Sequence, residues 1–378
     1  MNRHFLYKLP AKTDKADIWN WGDIMGRFSC PTEIVTGDAR SALQQLEAGK
    51  LLIVADPFFQ DGIAQELGAA AGGKVEYFFD VEPDPTVGLA ARGAALVKSF
   101  QPDVVVALGG GSAMDLAKSM TWFAGSEAVL AAIPTTSGSG SEVTDFAILT
   151  HKGIKHPLVD AQLRPKVAIL DAKLVEKLPK SLIADGGFDA LTHALEAYTA
   201  TGADLFTDAL AGAAFSQVLR CLRPSYEGNL AARKLVHSCA TMAGLAFTQA
   251  GLGLCHAMAH ALGGQLHLPH GRLNAILLPA VMEANAPVCG SRYAQLARRA
   301  GLEGRSDAVA IRNLRNSLLR LRRELKLPGT LAEAGVRLSA DREALVAAVL
   351  ADPCCKTNPM PVTAQTVQDV LRQVEDHG

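Results

Sequence analysis

The sequence predicts two regions of different class: an α/β domain on a parallel sheet in the first half, and an all-α domain in the second. Three observations carry that expectation. Short apolar runs alternate with helical stretches up to about residue 180, as in successive βαβ units. From Ser181 onward strand-like runs vanish and helical periodicity takes over, with Pro179 and Gly186-Gly187 as punctuation at the changeover. The length, 378 residues, gives each half room to bury a core of its own. The expected division is an N-terminal extension (1–28), an α/β domain (29–180) and a helical domain (181–378).

Each element follows from its residues. Leu51–Ala55 is an apolar run ended by Asp56-Pro57, and Lys74–Phe79, Asp103–Leu108 and Val129–Ile133 read as further strands. Gly62–Ala71, Leu89–Phe100 and Ala113–Phe123 read as the helices between them. The third strand runs into Gly109-Gly110-Gly111-Ser112 and then a helix with Asp115 in its first turn. That strand–turn–helix presents bare backbone N–H groups to a phosphate. A tight turn needing glycine is the plainer alternative, and no G-x-G-x-x-G fingerprint is present. The loop Ile133–Thr144, rich in hydroxyls and glycine, follows the next strand. Two such loops at successive strand ends point to a dinucleotide. Asp56 is placed to bond a ribose 2′-OH and to repel a 2′-phosphate, which favours NAD over NADP; capping the next turn is its other reading.

Composition excludes several classes. There are 37 basic and 38 acidic side chains and 49% hydrophobic residues, so nucleic-acid binding and disorder are not expected. No run of about 18 uninterrupted apolar residues spells a membrane span, and the first residues lack a signal-peptide core. The seven cysteines include no C-x-x-C pair, so a reducing, cytoplasmic setting is expected and Cys354-Cys355 reads as packing.

Histidine is spent unevenly: four of ten fall between His256 and His270. Asp189 and His193 stand at i and i+4 on one helix face, as do His256 and His260, while His267 and His270 are read on a loop interrupted by Pro269 and Gly271. One carboxylate with three imidazoles is a donor set for a divalent first-row metal; spacing alone does not choose among Fe, Zn, Cu and Ni, nor exclude a surface coincidence for either pair.

The segments Ala107–Lys118, Ile133–Thr144, Gly187–Tyr198, Gly251–His260 and His267–Pro279 together resemble the iron-containing (group III) alcohol dehydrogenases, over nearly the whole chain from Cys30. Within that family the stretch between Ser119 and Ile133, Gly153–Leu158 and Lys356–Pro359 are most similar to the 1-propanol dehydrogenases of propanediol-utilisation microcompartments. The ethanolamine-pathway alcohol dehydrogenases are nearly as similar. The resemblance implies Asp189, His193, His256 and His270 as ligands of Fe2+, with Zn2+ as an alternative. It implies His260 as a proton relay beside metal and nicotinamide, and His267 as structural. Gly110, Gly111 and Ser112 would hold the pyrophosphate of NAD(H). Asp115, Thr135, Thr136 and Thr144 would line the cofactor cleft, Lys155 would contact the cofactor, and Asp56 would set NAD preference.

The implied reaction is reversible reduction of a small aldehyde, propanal first and acetaldehyde second. Phe146, Phe247 and Leu254 are candidate apolar linings, with core packing the commoner role for each. Lactaldehyde-type substrates, a glycerol dehydrogenase, a dehydroquinate-synthase-like cyclase and a scaffolding role are the alternatives. Arg272 departs from the family's small or apolar residue and bears on the charge of the site mouth. A homodimer is expected, in the cytoplasm or inside a microcompartment. Residues 1–28, with Ile18, Trp19, Trp21, Met25 and Phe28, could dock on a shell protein or partner enzyme, or pack on the chain itself.

Overall fold

The computed structural model describes residues 28–152, 154–302, 304–338 and 341–375. Six strands form one wholly parallel sheet: β1 (Glu33–Thr36), β2 (Lys50–Ala55), β3 (Lys74–Phe78), β4 (Val104–Gly109), β5 (Val129–Pro134) and β8 (Val167–Leu170), in the order β1-β8-β5-β4-β2-β3. Four helices accompany it: α1 (Ala39–Gln44), α2 (Ile63–Ala71), α3 (Val87–Phe100) and α4 (Gly111–Ala124). The central strands are buried on both faces, which is why they read as continuous apolar runs. Leu52, Val54, Val105 and Ala107 pack with α3 and α4 residues such as Leu89 and Met120. Leu51, Ile53, Val106 and Leu108 point the other way, with Leu43 of α1 and Leu67 of α2.

The chain steps outward from β2 to β3, then returns to place β4 on β2's other side. That reversal opens a crevice at the carboxyl ends of β2 and β4. Ala55 pairs with Leu108, and Gly109 with Pro134, so the loops after β2, β4 and β5 leave the sheet side by side. The antiparallel hairpin β6 (Phe146–His151) and β7 (Ile154–Val159) stands apart from the sheet.

Helices α5 (Lys180–Thr199), α6 (Leu205–Tyr226), α7 (Leu230–Ala250), α8 (Leu254–Leu266), α9 (His270–Arg299), α10 (Asp307–Glu324), α11 (Arg342–Ala351) and α12 (Ala364–Glu375) make up the second half. Helix α5 is its axis, buried almost continuously from Ile183 to Thr199.

Three expectations need correction. Gly186-Gly187 does not punctuate a changeover but lies within α5. A Cβ on Gly187 would fall 2.1 Å from Leu222 Cδ1 of α6, and one on Gly186 would fall 3.0 Å from the Ser137 carbonyl oxygen. Both are glycine because neighbours press on the helix there. His270 does not sit on a loop but opens α9, after Pro269 at the cap position. His267 closes α8 in a left-handed conformation, its N–H returning to Gly263 O at 3.2 Å. Asp115 lies in the second turn of α4, since that helix begins two residues earlier than expected. The docking expectation for the N-terminal extension lies outside the described residues, apart from Phe28, whose ring stacks on Phe206 at 5.5 Å.

Candidate active site

Helices α5, α8 and α9 converge on one buried point. Asp189 and His193 face it from α5, and His256 from the first turn of α8. His270, the first residue of α9, completes the group. Gly271 makes that placement possible: a Cβ there would lie 1.9 Å from the Asp185 carbonyl oxygen, so only glycine lets α9 start against α5.

Asp189 Oδ1 lies 3.6 Å from His270 Nε2, 3.7 Å from His256 Nε2 and 3.9 Å from His193 Nδ1. Donor atoms held about 2.1 Å from one ion stand roughly 3–3.5 Å apart, so the cluster is close to the spacing of a metal shell. Asp189, His256 and His270 bring their donor atoms within 4.8 Å of one another. His193 is stacked flat on His256, with ring centroids 4.3 Å apart, and its Nδ1 is buried with no hydrogen-bond partner.

The charge states tell the same story. Burial drives His193 down to about 3 and His270 well below its ordinary value, so both are neutral donors. Burial would also lower His256, but hydrogen bonds to Asp189 and Glu196 outweigh it and raise it to about 9. Burial alone would raise Asp189, yet the surrounding imidazoles hold it below the usual carboxylate range. A buried carboxylate ringed by imidazoles draws positive charge to itself, and a divalent cation satisfies that demand.

Two residues that sequence reasoning missed orient the ligating groups. Glu196 Oε2 accepts from His256 Nδ1 at 2.6 Å, and its carboxylate also accepts from the backbone N–H of Gly253 (3.1 Å), Cys255 (2.7 Å) and His256 (3.4 Å). It thereby caps α8 and turns His256 Nε2 towards Asp189. Its signal was available: Asp189, His193 and Glu196 fall at i, i+4 and i+7 on one helix face. Asn274 of α9 donates to Asp189 Oδ1 at 2.8 Å; a single amide in a helix carries no comparable signal.

Arg272, the family departure, makes a two-pronged pair with Asp185 (3.2 and 3.0 Å), so its charge is matched within the helical half.

On the sheet side, Gly110 caps α4 and Gly111 and Ser112 form its first turn, beside Thr136. Gly109 turns the chain at φ +156°, with Asp56 close by. Asp56 takes the capping role, its Oδ1 accepting from Phe58 N–H at 2.9 Å, while remaining at the crevice edge. Lys155 reaches the cleft from β7 and pairs with Asp84 at 2.6 Å. Thr135 is nearly buried, its N–H bonded to Gly109 O.

Thr144 is placed otherwise than expected. It is fully buried, and its hydroxyl accepts from Lys118 Nζ at 2.8 Å, behind the cleft wall rather than on it. Lys118, also missed, donates to Ser141 Oγ and to the carbonyls of Thr144 and Phe146. Ser141 in turn donates to Asp115 Oδ1 at 3.1 Å. Burial lowers Lys118 to about 8 and raises Asp115 to about 6. A folded-state value above the ordinary 3.8 means that Asp115 favours folding below pH 4 and loses that contribution as pH rises through 6. Asp115→Asn should therefore gain stability relative to the parent as pH rises from 4 to 7, by at most about 3 kcal/mol, read as a growing difference in melting temperature. A pH-independent difference would contradict this burial effect.

Asp115, Gly111 and Lys155 at one end and the Asp189 cluster at the other line a single cleft of about 350 Å³. Its middle is apolar, with Phe146 and Phe247 tilted together at 5.9 Å. Leu254 takes the core-packing role, wholly buried in the helical core.

Residues 31–172 match the iron-containing alcohol dehydrogenase family, and residues 183–374 match the C-terminal region of the Fe-containing alcohol dehydrogenase family. The chain belongs to the iron-containing alcohol dehydrogenases. This alcohol dehydrogenase is 40% identical to the 1-propanol dehydrogenase PduQ of Salmonella typhimurium over 369 residues, 93% of this chain and all of that one. Among solved structures it resembles a 1,3-propanediol oxidoreductase (TM-score 0.88, 31% identity, 93% of this chain and 100% of that one). A sulfoacetaldehyde reductase from Bifidobacterium kashiwanohense, solved in complex with NAD+, also aligns (TM-score 0.83, 25% identity, 94% and 100%). The enzyme is thus an oxidoreductase of a family that works with iron and NAD(H), and its buried donor set fits a divalent ion.

Proposed function

We propose that this enzyme reduces a short-chain aldehyde with NADH, reversibly, and that propanal to 1-propanol is its main reaction. The observation that carries the proposal is a cleft with a glycine-rich, phosphate-competent end, an apolar middle and a buried carboxylate–imidazole cluster at the far end. Likeness to PduQ supports propanal, and the apolar walls support a substrate without polar substituents.

Asp189, His193, His256 and His270 would hold Fe2+, and the same donors suit Zn2+. The bound ion supplies a Lewis acid for the carbonyl oxygen. The chain's own residues do the rest. Glu196 and Asn274 keep the donors aligned. Gly110, Gly111 and Ser112, at the start of α4, offer backbone N–H groups to a pyrophosphate, with Thr135 and Thr136 shaping the neighbouring loop. Asp56 at the end of β2 selects a free ribose 2′-OH, and Lys155 closes the cofactor side. Phe146 and Phe247 exclude water from the reacting carbon. His260, lining the cleft beside the cluster, passes the proton.

We infer a homodimer in the cytoplasm or inside a bacterial microcompartment, with residues 1–28 as the segment for shell or partner docking. The test of the catalytic reading is anaerobic purification with metal analysis, then kinetics on C2–C4 aldehydes and lactaldehyde with NADH and NADPH. The highest kcat/KM is expected for propanal with NADH. No turnover of any short aldehyde with iron, zinc or manganese would overturn the proposal, and preference for lactaldehyde or NADPH would overturn its substrate or cofactor part.

A further inference from the structure

Helix α8 carries two imidazoles one turn apart, and each is gripped from behind by a carboxylate. His256 is held by Glu196, both nearly inaccessible. His260 is held by Asp352, whose Oδ2 lies 2.9 Å from His260 Nδ1, 92 residues away in sequence. A carboxylate can only accept, so Nδ1 of His260 carries the proton in this contact and Nε2 is left as the exchanging nitrogen.

Asp352 is itself fixed. It ends α11 and caps the turn Pro353–Thr357, its Oδ1 accepting from Cys354 N–H at 2.8 Å. One oxygen is thus anchored to backbone and the other to the imidazole. Burial would raise its pKa, but His260 and the Cys354 N–H hold it at about 2, so it stays anionic through the physiological range. The His260 ring also lies nearly parallel to that of His270, 5.2 Å away and 13° apart, which sets its plane against the cluster. Both Asp352 and His260 line the cleft.

We propose that Asp352 is a positioning residue for proton transfer: by accepting from Nδ1–H it fixes the tautomer and orientation of His260, so that Nε2 is the nitrogen that exchanges the proton with the substrate oxygen. The proposal rests on the reading of His260 as the proton relay. In aldehyde reduction, hydride from NADH forms the new C–H bond and the carbonyl π pair moves to oxygen. That oxygen takes the proton from Nε2 of the imidazolium, leaving neutral imidazole to be recharged from water at the cleft mouth. Asp352 stays anionic throughout; it makes no covalent change and touches no reacting atom.

The test uses zinc-loaded holoenzyme carrying Asp352→Asn, His260→Gln, both together, and Asp352→Glu. Asp352→Asn should keep full metal stoichiometry and an unchanged KM for aldehyde while kcat falls about 10- to 100-fold, the usual range for loss of such a partner. With [15N]histidine labelling, the ring nitrogen shifts of His260 should report Nδ1–H in the parent and lose that signature in Asp352→Asn. The double variant should be no slower than His260→Gln alone, because both changes act through one imidazole. Asp352→Glu should recover part of kcat. Parent-like turnover in Asp352→Asn, multiplying losses in the double variant, or activity lost in proportion to metal would overturn the positioning role. Parent-like turnover in His260→Gln would instead overturn the relay reading beneath it.

Discussion

Asp189→Ala is expected to remove metal and turnover together, with kcat/KM falling beyond about 1000-fold, or about 4 kcal/mol. Asp189 is the hub of the cluster: its Oδ1 is the atom around which the three imidazoles gather, and Asn274 donates to that same oxygen. It is also the one carboxylate among the four donors, so its loss leaves a dication only imidazoles to bind directly. Metal content after anaerobic dialysis, read beside steady-state kinetics, checks the result. A variant that retained stoichiometric metal and reduced propanal at the parental rate would show that the metal is held elsewhere.

Glu196→Ala should cost both stability and metal. The carboxylate accepts three backbone N–H groups at the start of α8 and the His256 ring, in a site almost closed to solvent. Breaking a buried pair in this way costs about 3–5 kcal/mol. Release of the His256 ring should weaken metal binding by about 10- to 100-fold. Glu196→Gln, which retains an acceptor of the same shape, should lose less of both. Chemical denaturation and competitive metal titration measure the two effects separately. Parental stability with parental affinity in Glu196→Ala would show that α8 and His256 are held by other contacts.

Much of the architecture was legible because the strongest physical signals are local. Strands β2, β4 and β5 are buried on both faces and announce themselves as apolar runs, and the paired donors at i, i+4 mark helix faces directly. What escaped depends on partners distant in sequence. Strands β1 and β8 are four residues each and stand only because partners distant in sequence hold them: β8 pairs with β5, Ala131 beside Val167, and β1 pairs with β8, Glu33 beside Val167. Strand β7 carries Pro157, which argues against a strand until Ile148 is seen opposite it in a two-stranded hairpin.

Pro269 and Gly271 look like helix breakers. Here the first precedes a helix start, and the second answers to the Asp185 carbonyl 86 residues before it. Glu196 was readable by periodicity but its partners lie on α8; Lys118 owes its role to the loop around Ser141–Phe146, and Asp352 to His260 of α8, 92 residues before it. Thr144 shows the converse error: the right loop, with the hydroxyl on its hidden side.

At the glycines of the β5 loop, the seam between the two halves is main chain laid against main chain. A Cβ on Gly138 of the β5 loop would lie 2.9 Å from Gly186 Cα of α5 and 3.2 Å from Asp189 Oδ2, and one on Gly140 would lie 2.7 Å from Gly244 Cα of α7. Where side chains mediate a junction, rotamer changes give it slack; backbone laid on backbone has none. The loop on the cofactor side and the helix bearing Asp189 therefore share one reference surface, like two machined parts bolted without a gasket. Sequence drift in either core can move helices and strands by small amounts, but at this seam any residue larger than glycine would push the cofactor-side loop away from the helices that face it.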